Sequence, residues 1–193
     1  ANTSLCHLDL EQCALDAAAV ETLTTGLSAT SALISLSLAN NPEIGDGGMQ
    51  ALSDALAAVP ALQTMDLSNS GMGDAGMELF APMLARAPAL TTLRLRSNGI
   101  ADIGATAVGA ALQPQSSLTL LDLERNDVGG TGARALAAAL LTCQLRILDL
   151  RRNECGDTGA SAIASSLESR ECPLETLILD SNSIGVAGAT SLA

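Results

Sequence analysis

Leucines set the rhythm of this chain. The phrase L-x-x-L-x-L-x-x-N recurs from near one end to the other, beginning at Leu5, Leu33, Leu62, Leu90, Leu118, Leu145 and Leu174, at intervals of 28, 29, 28, 28, 27 and 29 residues. Within each phrase the apolar residues alternate, which predicts a short strand with leucines on one face. The spacing then changes. In the fourth unit Leu90, Leu93 and Leu95 are followed by Asn98, Ile100 and Gly104, and after that by Ala105, Val108 and Leu112. Apolar residues at i, i+3 and i+7 mark one face of a helix. Each unit therefore reads as strand, turn, helix, with the repeat's glycine (Gly76, Gly104, Gly132, Gly159 and Gly188) expected just before the helix.

One such unit cannot bury its own apolar face, so the units must stack. Stacking predicts an α/β solenoid of about seven repeats spanning residues 1–193 as a single domain. Its parallel sheet lines the concave side and its helices line the convex side, because helices are wider than strands. The asparagine closing each phrase stands where the chain leaves the strand, and its amide can bond to buried backbone there. Asn41, Asn98, Asn126, Asn153 and Asn182 are expected to form a ladder, with Cys13 and Ser70 in the corresponding places of units one and three. The second unit carries one extra residue, in Asn41-Pro42-Glu43-Ile44. No polar cap is visible at either end, so the array is expected to be a segment of a longer one or to be covered at its ends by a partner.

The 28-residue period, the Asn-x-[Ile/Val] turn and the Gly-Ala-x-x-[Leu/Val/Ile] helix start resemble the ribonuclease-inhibitor-like subfamily of leucine-rich repeat proteins, over essentially the whole chain. The resemblance implies a curved horseshoe that acts through protein–protein contact. It implies a non-enzymatic scaffold that binds another protein or a multi-protein assembly, set in the cytoplasm, with cytoskeletal or ciliary association possible within the family. Two further members of the subfamily supply alternatives. A Ran-type GTPase-activating protein carries a key arginine on a strand-to-helix loop, but here every loop from the asparagine to the helix glycine lacks one, and Arg152 lies one residue before Asn153. An innate-immune sensing domain would follow a nucleotide-binding domain.

Composition narrows the chemistry. The net charge is −12, all nine basic residues are arginine, and aromatic residues amount to one Phe. An acidic chain does not suit nucleic acid or an anionic membrane surface. The longest apolar runs fall far short of a membrane span. Five cysteines at spacings that match no metal or redox motif point to a reduced, intracellular setting. Cys143 and Cys172 occupy matching places and are expected to be free thiols. With His7 the single histidine and no lysine, neither a nucleophile–base constellation nor a phosphate loop is present. No catalytic residue, metal, cofactor or small-molecule substrate is expected.

Alternation assigns the third, fifth, seventh and eighth places of each phrase to the concave face. These 28 places hold five arginines and seven acids, a net −2, against −10 for the rest of the chain. The arginines collect in units four to six, as Arg94, Arg96, Arg125, Arg151 and Arg152. Leu120, Ile147 and Ile178 form a small apolar stripe beside them, and Asp122, Glu124, Asp149 and Asp180 lie among them. Two readings stay open for this patch. It is a partner-binding face, since arginine and grouped apolar residues favour interfaces. It is equally a self-satisfied charge ladder, because Arg96, Glu124, Arg151 and Asp180 alternate in sign along the seventh place and Asp66, Arg94 and Asp122 along the fifth. On either reading, removing Arg96 and Arg151 together is expected to cost little stability, as exposed ion pairs contribute about 0–1 kcal/mol.

Overall fold

A computed structural model describes residues 4–27, 32–56, 59–112, 114 and 116–193. Among these residues the leucine phrases form seven three-residue strands: β1 (His7–Asp9), β2 (Ser35–Ser37), β3 (Thr64–Asp66), β4 (Thr92–Arg94), β5 (Leu120–Asp122), β6 (Ile147–Asp149) and β7 (Thr176–Ile178). They make one parallel sheet in chain order. The register pairs like with like, His7 with Ser35, Thr64 with Thr92, Leu120 with Ile147. Between the strands lie α1 (Ala17–Leu27), α2 (Gly45–Leu56), α3 (Asp74–Leu84), α4 (Asp102–Ala111), α5 (Gly130–Leu140) and α6 (Gly156–Leu167), and α7 (Val186–Leu192) follows β7. Each helix packs on the helices of adjacent units, and each strand pairs with the strands of adjacent units.

The core is the space between the strand row and the helix row. Strand leucines such as Leu36, Leu93, Leu121 and Leu148 are fully buried there against Val108, Leu136 and Ile163 from the helices. Phe80, the one aromatic residue, is also fully buried. No helix among the described residues is long and apolar enough to cross a membrane.

The helices begin earlier than the sequence suggests. The repeat glycine lies inside the first turn, two residues after the start of α3, α4, α5 and α7 and three after the start of α6. An aspartate of the preceding unit explains this. The Oδ1 atom of Asp74, at the start of α4's neighbour α3, accepts the N–H groups of Ala101 and Gly104 at 2.8 Å each. Asp46 does the same for Gly73 and Gly76, Asp102 for Gly129 and Gly132, and Asp157 for Gly185 and Gly188. The starts of α3, α4, α5 and α7 are thus capped by the unit before them, which satisfies two amides that have no partner within the helix, whereas unit five carries Gly130 at that place and α6 has no such cap. The glycine is small because that carboxylate sits against it. A Cβ added at Gly76, Gly104, Gly132 or Gly188 would stand 2.4–2.8 Å from the aspartate Oδ1.

The two irregular units are one irregularity. Ser70 replaces the asparagine whose amide would serve the turn of unit two, and that turn carries the extra residue. Pro42–Ile44 winds into a 3-10 turn in which Ile44 donates to the Asn41 carbonyl, and Gly45 donates to the Ser70 carbonyl. The inserted turn replaces the missing rung with backbone bonds. It also presses on Gly71, whose φ is +71° and where a Cβ would lie 2.2 Å from the Pro42 oxygen, so only glycine fits.

Candidate protein-binding face

The strand ends are held by three local devices. The first involves the five asparagines, all buried. Asn126 Oδ1 accepts the N–H groups of Asn98 and Ile100 in the preceding unit at 3.0 and 3.1 Å. Its Nδ2 donates to the carbonyls of Leu95 and Leu123. Asn98 makes the same set with Ser70, Met72, Leu67 and Leu95, and Asn41 with Cys13, Leu15, Leu10 and Leu38. Asn153 and Asn182 keep the donor half and accept one amide each, from Val128 and Cys155.

The second device is the eighth place of every unit. Gln12, Asn40, Asn69, Ser97, Arg125, Arg152 and Ser181 all have φ between +51° and +58°. This left-handed conformation is costly for a side-chain-bearing residue. It turns the chain out of the strand at the rim of the sheet, and all of these residues except half-buried Ser97 are exposed. Nothing in the sequence signals it, because two of the seven are Asn and none is Gly. The third device is the fifth-place aspartate. Asp9, Asp66, Asp122 and Asp149 each accept, through Oδ1, the N–H of the residue two places on, at 2.9–3.0 Å. That amide belongs to the seventh place, and the sixth and eighth amides donate to the next strand.

These devices decide how the charges pair. Along the seventh place, Glu124 is bridged on both sides, to Arg96 at 3.3 Å and to Arg151 at 3.2 Å. Its side chain is 7% exposed. Arg151 also forks onto Asp149, with Nη2–Oδ2 at 2.7 Å and Nε within 3.0–3.2 Å of both oxygens. Hydrogen bonding to Asp149 holds the Arg151 guanidinium above its ordinary pKa. Along the fifth place no ion pair joins Arg94 to Asp66 or Asp122 among the described residues. The expected alternation there is not formed, because both aspartates turn back onto their own strands. Burial pushes the Asp122 carboxyl above its usual range, and Asp149 and Glu124 beside it add to the rise. Oxygens of Asp122, Glu124 and Asp149 all lie within 4.8 Å of one another. Arg96 and Arg151 bridge two of these three carboxylates, and among the described residues no buried side-chain polar atom is left unpartnered.

The expected face is therefore brought together, with differences. Glu124 and Asp149 are buried, and Asp122 is half-buried. Arg125 and Arg152 are exposed and Arg94 is half-buried, and none of the three holds an ion pair among the described residues. Leu120 and Ile147 pair across β5 and β6. Ile178 stands one row further along, opposite Asp149, rather than in the same row. Asp180 is exposed at the seventh place of the last unit, with no bridge to Arg151 within 4 Å among the described residues. A depression of about 490 Å³ crosses units two to five, lined by Asn40, Ser68, Asn69, Arg96, Ser97 and Arg125. Away from this face, all five cysteines are free, including Cys143 and Cys172. Burial raises the Cys143 thiol and pushes Cys155 up to about 12.

No curated protein matches the chain in sequence. Among solved structures, an internalin (inlF) from Listeria monocytogenes superposes with a TM-score of 0.55 at 23% identity, over 88% of this chain and 48% of that one. This chain thus spans about half the length of that relative, and the likeness is one of fold. The actin-binding site 2 of leiomodin-1 gives a TM-score of 0.49 at 18% identity, over 83% of this chain and 76% of that one. The family pattern described as "Leucine Rich repeat" matches residues 32–53, 88–109, 115–137, 143–164 and 172–193. These segments cover more than half of the chain and coincide with its strand–helix units; the chain belongs to the leucine-rich repeat family.

Proposed function

We propose that this chain is a non-enzymatic protein-interaction module of the ribonuclease-inhibitor-like subfamily, one continuous repeat domain whose sheet face binds a partner protein at units four to six. The leucine-rich repeat fold is typical of protein–protein interaction. The observation that carries the site is the make-up of that face. Arg94 and the Leu120–Ile147 pair lie on neighbouring strands in fixed register, and Arg96, Arg125, Arg151 and Arg152 follow shortly after the ends of those strands. Arginine stems and apolar side chains contribute contact area, and the guanidinium forks contribute orientation. The setting consistent with five reduced thiols is intracellular, in the cytoplasm. The partner is a protein or a protein assembly; nucleic acid, membrane lipid and small-molecule substrates are outside the proposal.

Photo-crosslinking in cells tests it. A photoreactive amino acid placed at Thr92, Leu120 or Ile147 samples the sheet face. The same residue at Ile103, Thr106 or Thr131 samples the helix face. Discrete protein adducts from the first set and none from the second are expected. Adducts confined to the helix set would overturn the assignment.

A further inference from the structure

We infer that units four to six receive an acidic segment of the partner, with carboxylate side chains seated on Arg94, Arg125 and Arg152 and in the depression that Arg96 and Arg125 help to line. The inference rests on the proposed sheet-face site and names the chemistry that fits it. In the sequence this patch holds five arginines and three acids. The structure divides this charge, leaving two acids paired with two of the arginines and Asp122 turned onto a backbone amide. Glu124 lies between Arg96 and Arg151, Asp149 is clasped by Arg151, and Asp122 faces the amide of Glu124. The arginines that remain, Arg94, Arg125 and Arg152, form no ion pair among the described residues, and two of them, Arg125 and Arg152, are exposed.

A guanidinium fork matches a carboxylate in plane and spacing. Around the depression, Ser68, Ser97, Asn40 and Asn69 add hydroxyl and amide groups able to donate to a second acceptor oxygen or to peptide carbonyls. The rest of the molecule argues in the same direction. It carries a net −10 outside the sheet face, which disfavours an acidic segment there on balance and favours specificity over bulk affinity. A longer polyanion would feel the acidic flanks. Nucleic acid would also find no aromatic side chain to stack on, since Phe80 is fully buried.

The test is selection of random dodecapeptides against the full chain, followed by fluorescence anisotropy of the binders. The comparison protein carries Arg94→Ser, Arg125→Asn and Arg152→Asn. These are the residues that Ser37, Asn40 and Asn69 already place at the equivalent positions, and circular dichroism confirms the fold. The expected result is binders rich in Asp and Glu whose affinity falls roughly tenfold or more in the variant and falls again with added salt. Replacement of their acids by Gln and Asn should abolish binding. Binders that depend on the three arginines but carry no excess of acid would overturn the acidic segment and leave the sheet-face site standing. Binders indifferent to the variant would overturn both, and a selection without binders overturns the acidic segment. Tighter arginine-dependent binding of an oligothymidine would assign the face to nucleic acid. Self-association in sedimentation that the variant abolishes would assign it to a second copy. Either result removes the inference.

Discussion

Truncating Asn126 to Ala should be among the most damaging single changes outside the leucine core. The side chain is 5% exposed, in the fifth unit of seven. Its loss affects acceptors and donors unequally. The Leu95 carbonyl keeps the Nδ2 of Asn98, and the Leu123 carbonyl keeps the Nδ2 of Asn153, so neither is orphaned. The N–H groups of Asn98 and Ile100 have Asn126 Oδ1 as their bonded partner and are left buried without one. At about 1–3 kcal/mol for each unsatisfied amide, the cost is about 2–6 kcal/mol, nearer the lower end where a water can enter. Asn153 supplies the internal comparison. Its Oδ1 accepts a single amide, that of Val128, and the Leu123 and Leu150 carbonyls keep the Nδ2 groups of Asn126 and Asn182, so Asn153→Ala should cost about half as much. Urea unfolding followed by far-ultraviolet circular dichroism measures both. Amide hydrogen exchange at Asn98 and Ile100 reports the local opening. A loss below about 1 kcal/mol at Asn126, or equal losses at the two sites, would show that the amides are not what the asparagine row serves.

Four other changes test the remaining devices. Asp102→Ala strips two amides at the start of α5 and should cost about 1–2 kcal/mol in thermal melting, whereas Asp54→Ala on the outer face of α2 should stay within about 0.5 kcal/mol. Gly132→Ala should destabilise, because the new methyl meets Asp102 Oδ1 at 2.8 Å and Ala105 Cβ at 2.9 Å; Gly26→Ala near the end of α1, with nothing within 4 Å, should stabilise. The joint change Arg96→Ala and Arg151→Ala should cost about 1–3 kcal/mol in urea unfolding, since it leaves the buried Glu124 and Asp149 without their arginines, and adding Glu124→Gln and Asp149→Asn should recover most of it. Asp122, whose native pKa is raised, binds its proton more readily folded than unfolded. Stability should therefore fall as pH rises from about 3.8 through the native value, and Asp122→Asn should flatten that part of the profile and stabilise at neutral pH.

How much of this could be read in advance depends on whether a residue's partner lies in its own unit. The strand leucines, the order of the sheet and the place of the asparagines follow from the period alone, because each repeats a local rule. The capping aspartates were equally visible as type. Asp74-Ala75-Gly76, Asp102-Ile103-Gly104 and Asp157-Thr158-Gly159 show an Asp-x-Gly triplet at the helix start. What the triplet does not reveal is that the carboxylate serves the next unit, and so the sequence pattern places the glycine before the helix whereas the structure has it within the first turn. Geometry of the individual side chain decided the charges. Aspartate is short enough to bond an amide two places on, so the fifth-place ladder failed. Glutamate and arginine are long enough to meet across strands, so the seventh-place ladder formed. The left-handed eighth place had no residue signature at all.

The same distinction separates structural acid from available base on the sheet face. A row of acids and arginines in equal rhythm suggests a surface that satisfies itself, and Arg96–Glu124–Arg151–Asp149 does so. That network carries a consequence for any test of binding. Because Glu124 is buried, Arg96 and Arg151 hold the fold as well as the face, and the expectation that they could be removed together at little cost does not survive the geometry. Loss of binding in that double variant would be indistinguishable from loss of structure. Arg94, Arg125 and Arg152 separate the two effects. They belong to the same face and lie on or at the ends of β4, β5 and β6, yet no ion pair of the fold depends on them among the described residues. A change confined to these three side chains alters what the face presents without breaking an ion pair that holds it in register.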